Sequence, residues 1–286
     1  MRGTQGDRTQ GGNEPDGTAT SGPGLHSGES DRRRIIELER VAALGWRAVD
    51  EQWMGNWLLR AAGGFTGRAN SALVLGSPDR SLADAVDATR RWYARRGLPA
   101  TISLPFPLSG PGDDPLDRLL AAGGWTLRSG PAMVLTAAAG DLAPPDGADT
   151  LAGPRVSVSE TPDEAWRALY HYRGQELPPV AARLLVSAPW QRFVSLRTPD
   201  GATVAIGRLA VADGWAGVTA MEVAPDHRRR GYGTRVLHAL GGLARQRGAG
   251  RLYLQVDEDN TAARALYQRS GFTPSHLYHY RIAPAR

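Results

Sequence analysis

Cysteine is absent from this chain of 286 residues, and so is lysine. Without cysteine there are no disulfides, no thiolate metal site and no cysteine nucleophile, so an acyl group cannot pass through a cysteinyl intermediate. Without lysine, all 34 basic residues are arginine. A GC-rich genome explains that bias; even so, every fixed cation is a guanidinium, a group shaped for carboxylates and phosphates. The net charge of +5 suits an anionic ligand or a nucleic acid and does not choose between them. Also missing are an apolar run long enough to span a membrane and a charged, apolar, small-residue leader. A cytoplasmic protein without membrane partners is the expectation. What is present is 41% hydrophobic residues, enough for one large core or two ordinary ones.

Residues 1–31 are rich in Gly, Ser, Thr, Pro, Asn and Asp, and are expected to form a disordered tail. Hydrophobic periodicity then predicts helices over Ile35–Val49, Ser81–Arg96, Asp114–Ala122, Asp163–Tyr172, Pro179–Ser187, Tyr232–Arg247 and Asn260–Ser270. Strands are expected around Trp57–Arg60 and Ser71–Gly76, then over Thr101–Phe106 and Met133–Thr136. Further strands are expected over Arg155–Ser159, Arg192–Leu196, Val204–Val211, Gly217–Val223, Arg251–Val256 and Leu277–Ala283. A Pro/Ala/Gly-rich stretch over 137–154 reads as a linker. It divides a domain over 32–145 from one over 153–286.

The two halves resemble each other. Each has a helix ending in an Arg/Gly turn, then a strand, a helix, and a Gly-aromatic pair: Gly124-Trp125 in the first and Gly271-Phe272 in the second. They differ at the glycine-rich turn. Val218–Thr234, VTAMEVAPDHRRRGYGT, places Arg228, Gly231 and Gly233 between a strand and a helix. The first half has PDRSLADA there instead. Backbone N–H groups can converge at such a turn, beside the positive end of the following helix, and so cradle a diphosphate. By itself the pattern is weak: in a chain this rich in Arg and Gly it arises by chance roughly half a time.

Downstream, Asn260, Ala263 and Tyr267 lie at i, i+3 and i+7, on one helix face. Asn260 suits either a helix N-cap or a ligand contact. Ala263 leaves room for a ligand. Tyr267 is either a packing partner of Gly271-Phe272 or a proton donor, since a phenol can protonate a departing thiolate. Glu222 alternates with Met221 and Val223 and is expected on the opposite side of the sheet, as a base or as an ion-pair partner. Glu176 is a reserve base. Histidines 227, 238, 276 and 279 do not suggest a metal site, because His276 and His279 are expected on opposite faces of a strand. Trp46, Trp53, Trp57 and Trp125 read as core.

Together, MEVAPDHRRRGYGTRVL, Asn260-x-x-Ala263-x-x-x-Tyr267 and Gly271-Phe272 resemble the GCN5-related N-acetyltransferase (GNAT) family. The resemblance covers residues 155–286. It implies an α/β (α+β) fold of two tandem GNAT-like domains, each a mixed twisted sheet flanked by helices, the first degenerate. It implies acetyl-CoA as co-substrate, no metal, and direct transfer to an amine. Met221, Val223 and Ala224 would then meet the pantetheine arm, with the Val223 N–H polarising the thioester carbonyl. The N–H groups from Arg229, Arg230, Gly231, Tyr232, Gly233 and Thr234 would hold the diphosphate, with Arg228 assisting or bracing the loop. Asn260, Ala263 and Tyr267 would line the site, and Tyr267 and Glu222 would serve as acid and base.

The segment Gly63–Ser71, GGFTGRANS, is either a hairpin turn or a likeness to bacterial tandem acetyltransferases that include N-acetylglutamate synthases. In the second case Arg68, Asn70 or Arg173 would hold an amino-acid carboxylate, and glutamate is the leading acceptor. The alternatives are an acyltransferase for proteins or other metabolites, or a catalytically silent acyl-CoA-binding module. Nucleic acid is the less favoured partner.

Overall fold

A computed structural model of the chain describes residues 24–142, 153–171 and 176–285. In chain order the elements are helix α1 (Gly24–Gly45), strands β1 (Asp50–Met54), β2 (Trp57–Ala61) and β3 (Ala72–Val74), helix α2 (Leu82–Ala94), β4 (Thr101–Phe106), α3 (Pro115–Ala122), β5 (Thr126–Leu127) and β6 (Ala132–Ala138). The second half has β7 (Arg155–Ser159), α4 (Glu164–Leu169), α5 (Val180–Leu185), β8 (Gln191–Arg197), β9 (Thr203–Ala212), β10 (Trp215–Val223), α6 (Tyr232–Gln246), β11 (Arg251–Asp257), α7 (Thr261–Arg269) and β12 (Thr273–Ile282).

Most elements fall where periodicity places them, and the caps explain their starts. The Ser81 and Asp114 side chains accept from the first-turn N–H groups of α2 and α3, and Asp163 does the same for α4. Two expectations need correction. Helix α1 begins at Gly24, so residues 24–31 of the expected tail are helical, and it stops at Gly45 rather than Val49. A strand, β1, follows at Asp50–Met54, where none was expected. It leaves Trp53 half-exposed on a sheet edge, while Trp46, Trp57 and Trp125 are buried as expected. Most of the expected linker, 143–152, lies outside the described residues, as does the tail to residue 23. The linker's first residues instead complete β6 and form a short 3-10 turn, Ala139–Leu142.

Among the described residues all twelve strands join one sheet in the order β1-β2-β3-β4-β12-β6-β11-β10-β9-β8-β7, with β5 beside β12. Two pairs are parallel, β3 with β4 and β10 with β11. They are equivalent steps in the two halves. The last strand of each half is exchanged: β6 pairs with β11 over seven residues, and β12 pairs with β4 over six. The exchanged strands also pair with each other. The main core therefore mixes the halves, with Met133, Leu135, Ala137 and Leu142 packed among Val236, Leu240, Leu254 and Phe272. On the opposite face α1 crosses the seam, its Leu38 and Val41 against Val134, Tyr253 and Tyr278.

The C-terminal strand is also pinned by charge. Asp117 of α3 accepts from Arg281 Nε at 2.8 Å and from its second terminal nitrogen at 2.9 Å. His279 Nε2 lies 2.9 Å from the same carboxylate. His276, on the other face as alternation demands, lies 2.9 Å from the buried Glu39 of α1. The Arg281 guanidinium holds the Asp117 carboxyl below its ordinary value, against the opposing push of burial. Because that value lies below the unfolded one near 3.9, this stabilisation is complete above the unfolded value. It is lost as pH falls through the lowered one. Asp117→Asn is expected to cost about 2 kcal/mol at neutral pH and to flatten the acid limb of stability against pH. Urea midpoints for both proteins at pH 7 and pH 3 check this; an unchanged midpoint at pH 7 would reject it.

Candidate active site

The parallel pairing of β10 with β11 covers only Trp215–Val218 and Arg251–Leu254. Beyond it the strands part. Thr219–Val223 stays on β9, while Gln255–Asp257 goes to β6. At the parting, β10 carries an irregularity between Thr219 and Glu222, and Ala220 is in the left-handed region at φ 52°. A residue with a Cβ rarely adopts that conformation, and such bulges re-aim side chains beside functional sites. Ala220, Met221 and Glu222 all line one cleft, which opens where the strands part. Glu222 pairs with Ile206 of one core face and Val223 with Ala205 of the other, so the two alternate across the sheet as expected.

The cleft holds about 420 Å³. Of the residues singled out from sequence, Met221, Glu222, Asn260, Ala263, Tyr267 and Arg68 line it. Sequence reasoning missed Tyr170, Thr219, Gln255, Asp257, Tyr278 and Tyr280. Gln255 with Asp257, and Tyr278 with Tyr280, are i, i+2 pairs on strands, a pattern that points to a site only once the gap is known. Gly67, Arg68 and Ala132 come from the first half, so both halves build the wall. The loop holding Gly67 packs closely there; a Cβ on it would meet the Tyr280 ring and Arg128 at 2.8 Å.

At the gap, the Ala224 N–H is spent on the Val204 carbonyl at 2.9 Å, so Ala224 does not offer that donor to a ligand. N–H groups alternate in direction along an antiparallel strand. That of Val223 therefore faces the gap. Next come the turn and α6. Arg229 and Gly231 both adopt left-handed backbone, at φ 61° and 77°. Among the described residues α6 has no side-chain cap. Its first-turn N–H groups, at Tyr232, Gly233 and Thr234, have no intrahelical acceptor by geometry. Gly233 is needed for closeness: a Cβ there would press on Leu266 of α7 at 3.0 Å. This donor-rich helix end has the chemistry to meet a diphosphate. Arg228 braces the turn. It donates to the Val223 carbonyl at 3.2 Å and to Glu222 Oε1 at 3.1 Å. Arg229 and Arg230 are exposed on the rim.

Tyr267 is buried edge-on to Phe272, ring centroids 5.9 Å apart. Burial, reinforced by the charge of Glu222, pushes its phenol up to about 12. It stays protonated, and able to donate, throughout the neutral range. Asn260 caps α7, its Oδ1 accepting from the Ala263 N–H at 3.1 Å. Asn70 is a brace for its own loop: Oδ1 accepts from the Ala62 and Gly64 N–H groups, and Nδ2 donates to the Phe65 and Thr66 carbonyls. It is not a ligand contact. Glu176 lines a neighbouring depression with Glu164 and Arg167 rather than the cleft. Arg173 lies outside the described residues. No cluster of His, Asp or Glu suited to a metal occurs among the described residues, and no described helix is long and apolar enough to cross a membrane.

A mixed sheet flanked by helices and split at a bulged strand, with a donor-rich helix start beside the split, defines the class: an acyltransferase with the GNAT fold. The chain belongs to the family described as "Probable histone acetyltransferase Rv0428c C-terminal", whose model matches residues 33–281. It is 30% identical to the "Uncharacterized N-acetyltransferase YobR" of Bacillus subtilis over 257 residues, spanning 87% of this chain and 98% of that one. A solved GCN5-related N-acetyltransferase from Kribbella flavida shares the fold with a TM-score of 0.65 at 21% identity, covering 88% of this chain and 96% of that one. A tandem GNAT protein from the clavulanic acid biosynthesis pathway does so with a TM-score of 0.57 at 18% identity, covering 90% and 96%.

Proposed function

We propose that the chain transfers an acetyl group from acetyl-CoA directly to the amine of a small molecule, with an amino acid such as glutamate as the leading acceptor. The observation that carries this reading is the opening between β10 and β11, with the α6 turn at one end and Tyr267 across it. Acetyl-CoA brings a thioester whose carbonyl carbon is the electrophile. The N–H groups from Arg229 to Thr234 hold the diphosphate, and Met221 and Val223 flank the pantetheine arm. The Val223 N–H stabilises the oxyanion as the amine attacks. Glu222, directly or through water, takes the proton the amine loses. As the C–N bond forms and the C–S bond breaks, Tyr267 gives its proton to the departing thiolate. Glu222 also holds Arg228, so the same carboxylate links base and turn.

The first half serves as one wall of the acceptor cleft, through Gly67, Arg68 and Ala132. Glutamate rests on the likeness of the 63–71 loop and on the arginines. A protein lysine, as the family's description suggests for its members, is the competing acceptor. Cytoplasmic placement fits a small-metabolite enzyme and belongs to the same proposal.

The test is release of free coenzyme A across a panel of amino acids, other small amines and basic peptides, with product masses recorded. Turnover of an amino acid and not of peptides supports the reading; turnover of peptides alone, or of nothing, overturns it. The control is Gly231→Glu, which sets a negative charge at a donor cradle where φ is 77°. It is expected to weaken acetyl-CoA binding at least tenfold in calorimetry, and intact binding would displace the cradle from this turn.

A further inference from the structure

Arg208 of β9 is fully buried and stands opposite Thr219 across the β9–β10 ladder. Its side chain gathers α5, α1 and β10. Nε donates to the Leu185 carbonyl at 2.6 Å; one terminal nitrogen donates to the Gly45 carbonyl at 3.0 Å and to Thr219 Oγ1 at 3.2 Å. Leu185 and Gly45 are the last residues of α5 and α1. Carbonyls at a helix end have no intrahelical donor, so the guanidinium satisfies groups that the helices leave open. The end of α1 is set close to the sheet: a Cβ on Gly45 would meet Tyr253 Oη at 2.2 Å.

Thr219 is the residue at which β10 leaves β11. The parallel pairing ends at Val218, the register slips after Thr219, and Ala220 is left-handed at φ 52°. An alanine keeps that backbone only where its surroundings hold it. On one side Arg208 holds Thr219. On the other, Ala220 packs against a cluster that includes Trp46, Leu184, Leu185 and Ile206, around the same two helix ends. The guanidinium also lies over the Trp46 ring, 5.1 Å from its centroid. Burial pushes it down to about 10, so it is still a cation at neutral pH and a strong donor. Thr219 and Ala220 line the cleft, whereas buried Arg208 acts only through them.

We propose that Arg208 is a positioning residue for the donor gap: by tying Thr219 to the ends of α1 and α5, it holds Ala220 in left-handed backbone and keeps β10 parted from β11. The word donor rests on the acetyl-CoA reading; the clamp itself does not. Helix α1 belongs to the first half, so that half shapes the gap as well as the cleft wall. A gap fixed in advance spares a ligand the cost of ordering it. A strand loosened at Thr219 must be ordered anew at each binding event, which weakens affinity.

The experiment removes the clamp's acceptor and leaves the arginine in place. Thr219→Val keeps the branched shape and loses the hydroxyl. Coenzyme A binding, read by calorimetry, is expected to weaken tenfold or more, and Thr219→Ser to keep most of it. Adding Ala220→Gly to Thr219→Val is expected to restore binding, because glycine takes left-handed backbone without help. Unchanged binding in Thr219→Val overturns the proposal. So does a loss that Ala220→Gly fails to rescue, since Thr219 would then act by direct contact. The second arm uses no ligand. Amide hydrogen exchange across 219–223 is expected to quicken at least tenfold in Thr219→Val and to slow again in the double variant. A wild type that binds no coenzyme A rejects the donor reading, and exchange then decides the clamp: unchanged rates reject it.

Discussion

Tyr267→Phe is expected to lower kcat about a hundredfold or more, the usual worth of a positioned proton donor, with little change in Tm. The substitution keeps the ring that packs edge-on to Phe272 in the main core and removes only the hydroxyl. The loss of rate is therefore separable from a loss of fold. The phenol's pKa, pushed up to about 12 by burial and by Glu222, sets a second expectation. Because the folded value lies above the ordinary one, the proton stays on through neutral and mildly alkaline pH. The rate should not fall on the basic side for want of it until pH nears that value. A profile of kcat against pH from 6 to 10, for wild type and Tyr267→Phe, checks both points. Wild-type kcat in the Phe variant would remove Tyr267 from the proton path, whereas an alkaline fall near pH 9 that the Phe substitution abolishes would keep it there and overturn the raised pKa.

A fragment of residues 153–286 is expected not to fold, although the duplicated pattern of the sequence invites its expression as a free-standing domain. Deletion of the first half strips β12 of both β4 and β6, and β11 of β6. It also takes Met133, Leu135, Ala137 and Leu142 out of the core under α6. The three larger side chains alone stabilise by about 2 kcal/mol each on burial, comparable with the whole margin of an ordinary domain. Arg208 would lose the Gly45 carbonyl besides. Circular dichroism and coenzyme A binding of the fragment test this. A soluble, cooperatively unfolding fragment that still transfers acetyl groups would mean that the exchanged strands are dispensable.

The sequence carried local features faithfully. The spacing of apolar residues placed α2, α6 and α7, and Asn260 sat where a helix had to begin. Gly231 and Gly233 announced a turn whose need for left-handed backbone and close approach is visible at φ 77° and in the 3.0 Å gap to Leu266. Each depends on a few neighbouring residues and on backbone conformation, which composition at fixed spacing encodes. Even the opposite facing of His276 and His279 needs only the two-residue period of a strand.

The tertiary structure decided what depends on partners far along the chain. No local signal foretold the bulge at Ala220, because the strain there is held by β9 and by Arg208 on Thr219. A linear boundary near 145 describes the duplication but not the exchange of β6 and β12; either strand's alternation suits a neighbour from either half equally well. Asn70 and Arg68 stand two residues apart in one loop, yet one is consumed by backbone groups and the other lines the site. That difference arises from the direction each side chain takes once the loop is packed. Residue type and order thus settled the turn that opens α6, whereas strand pairing and burial settled the cleft.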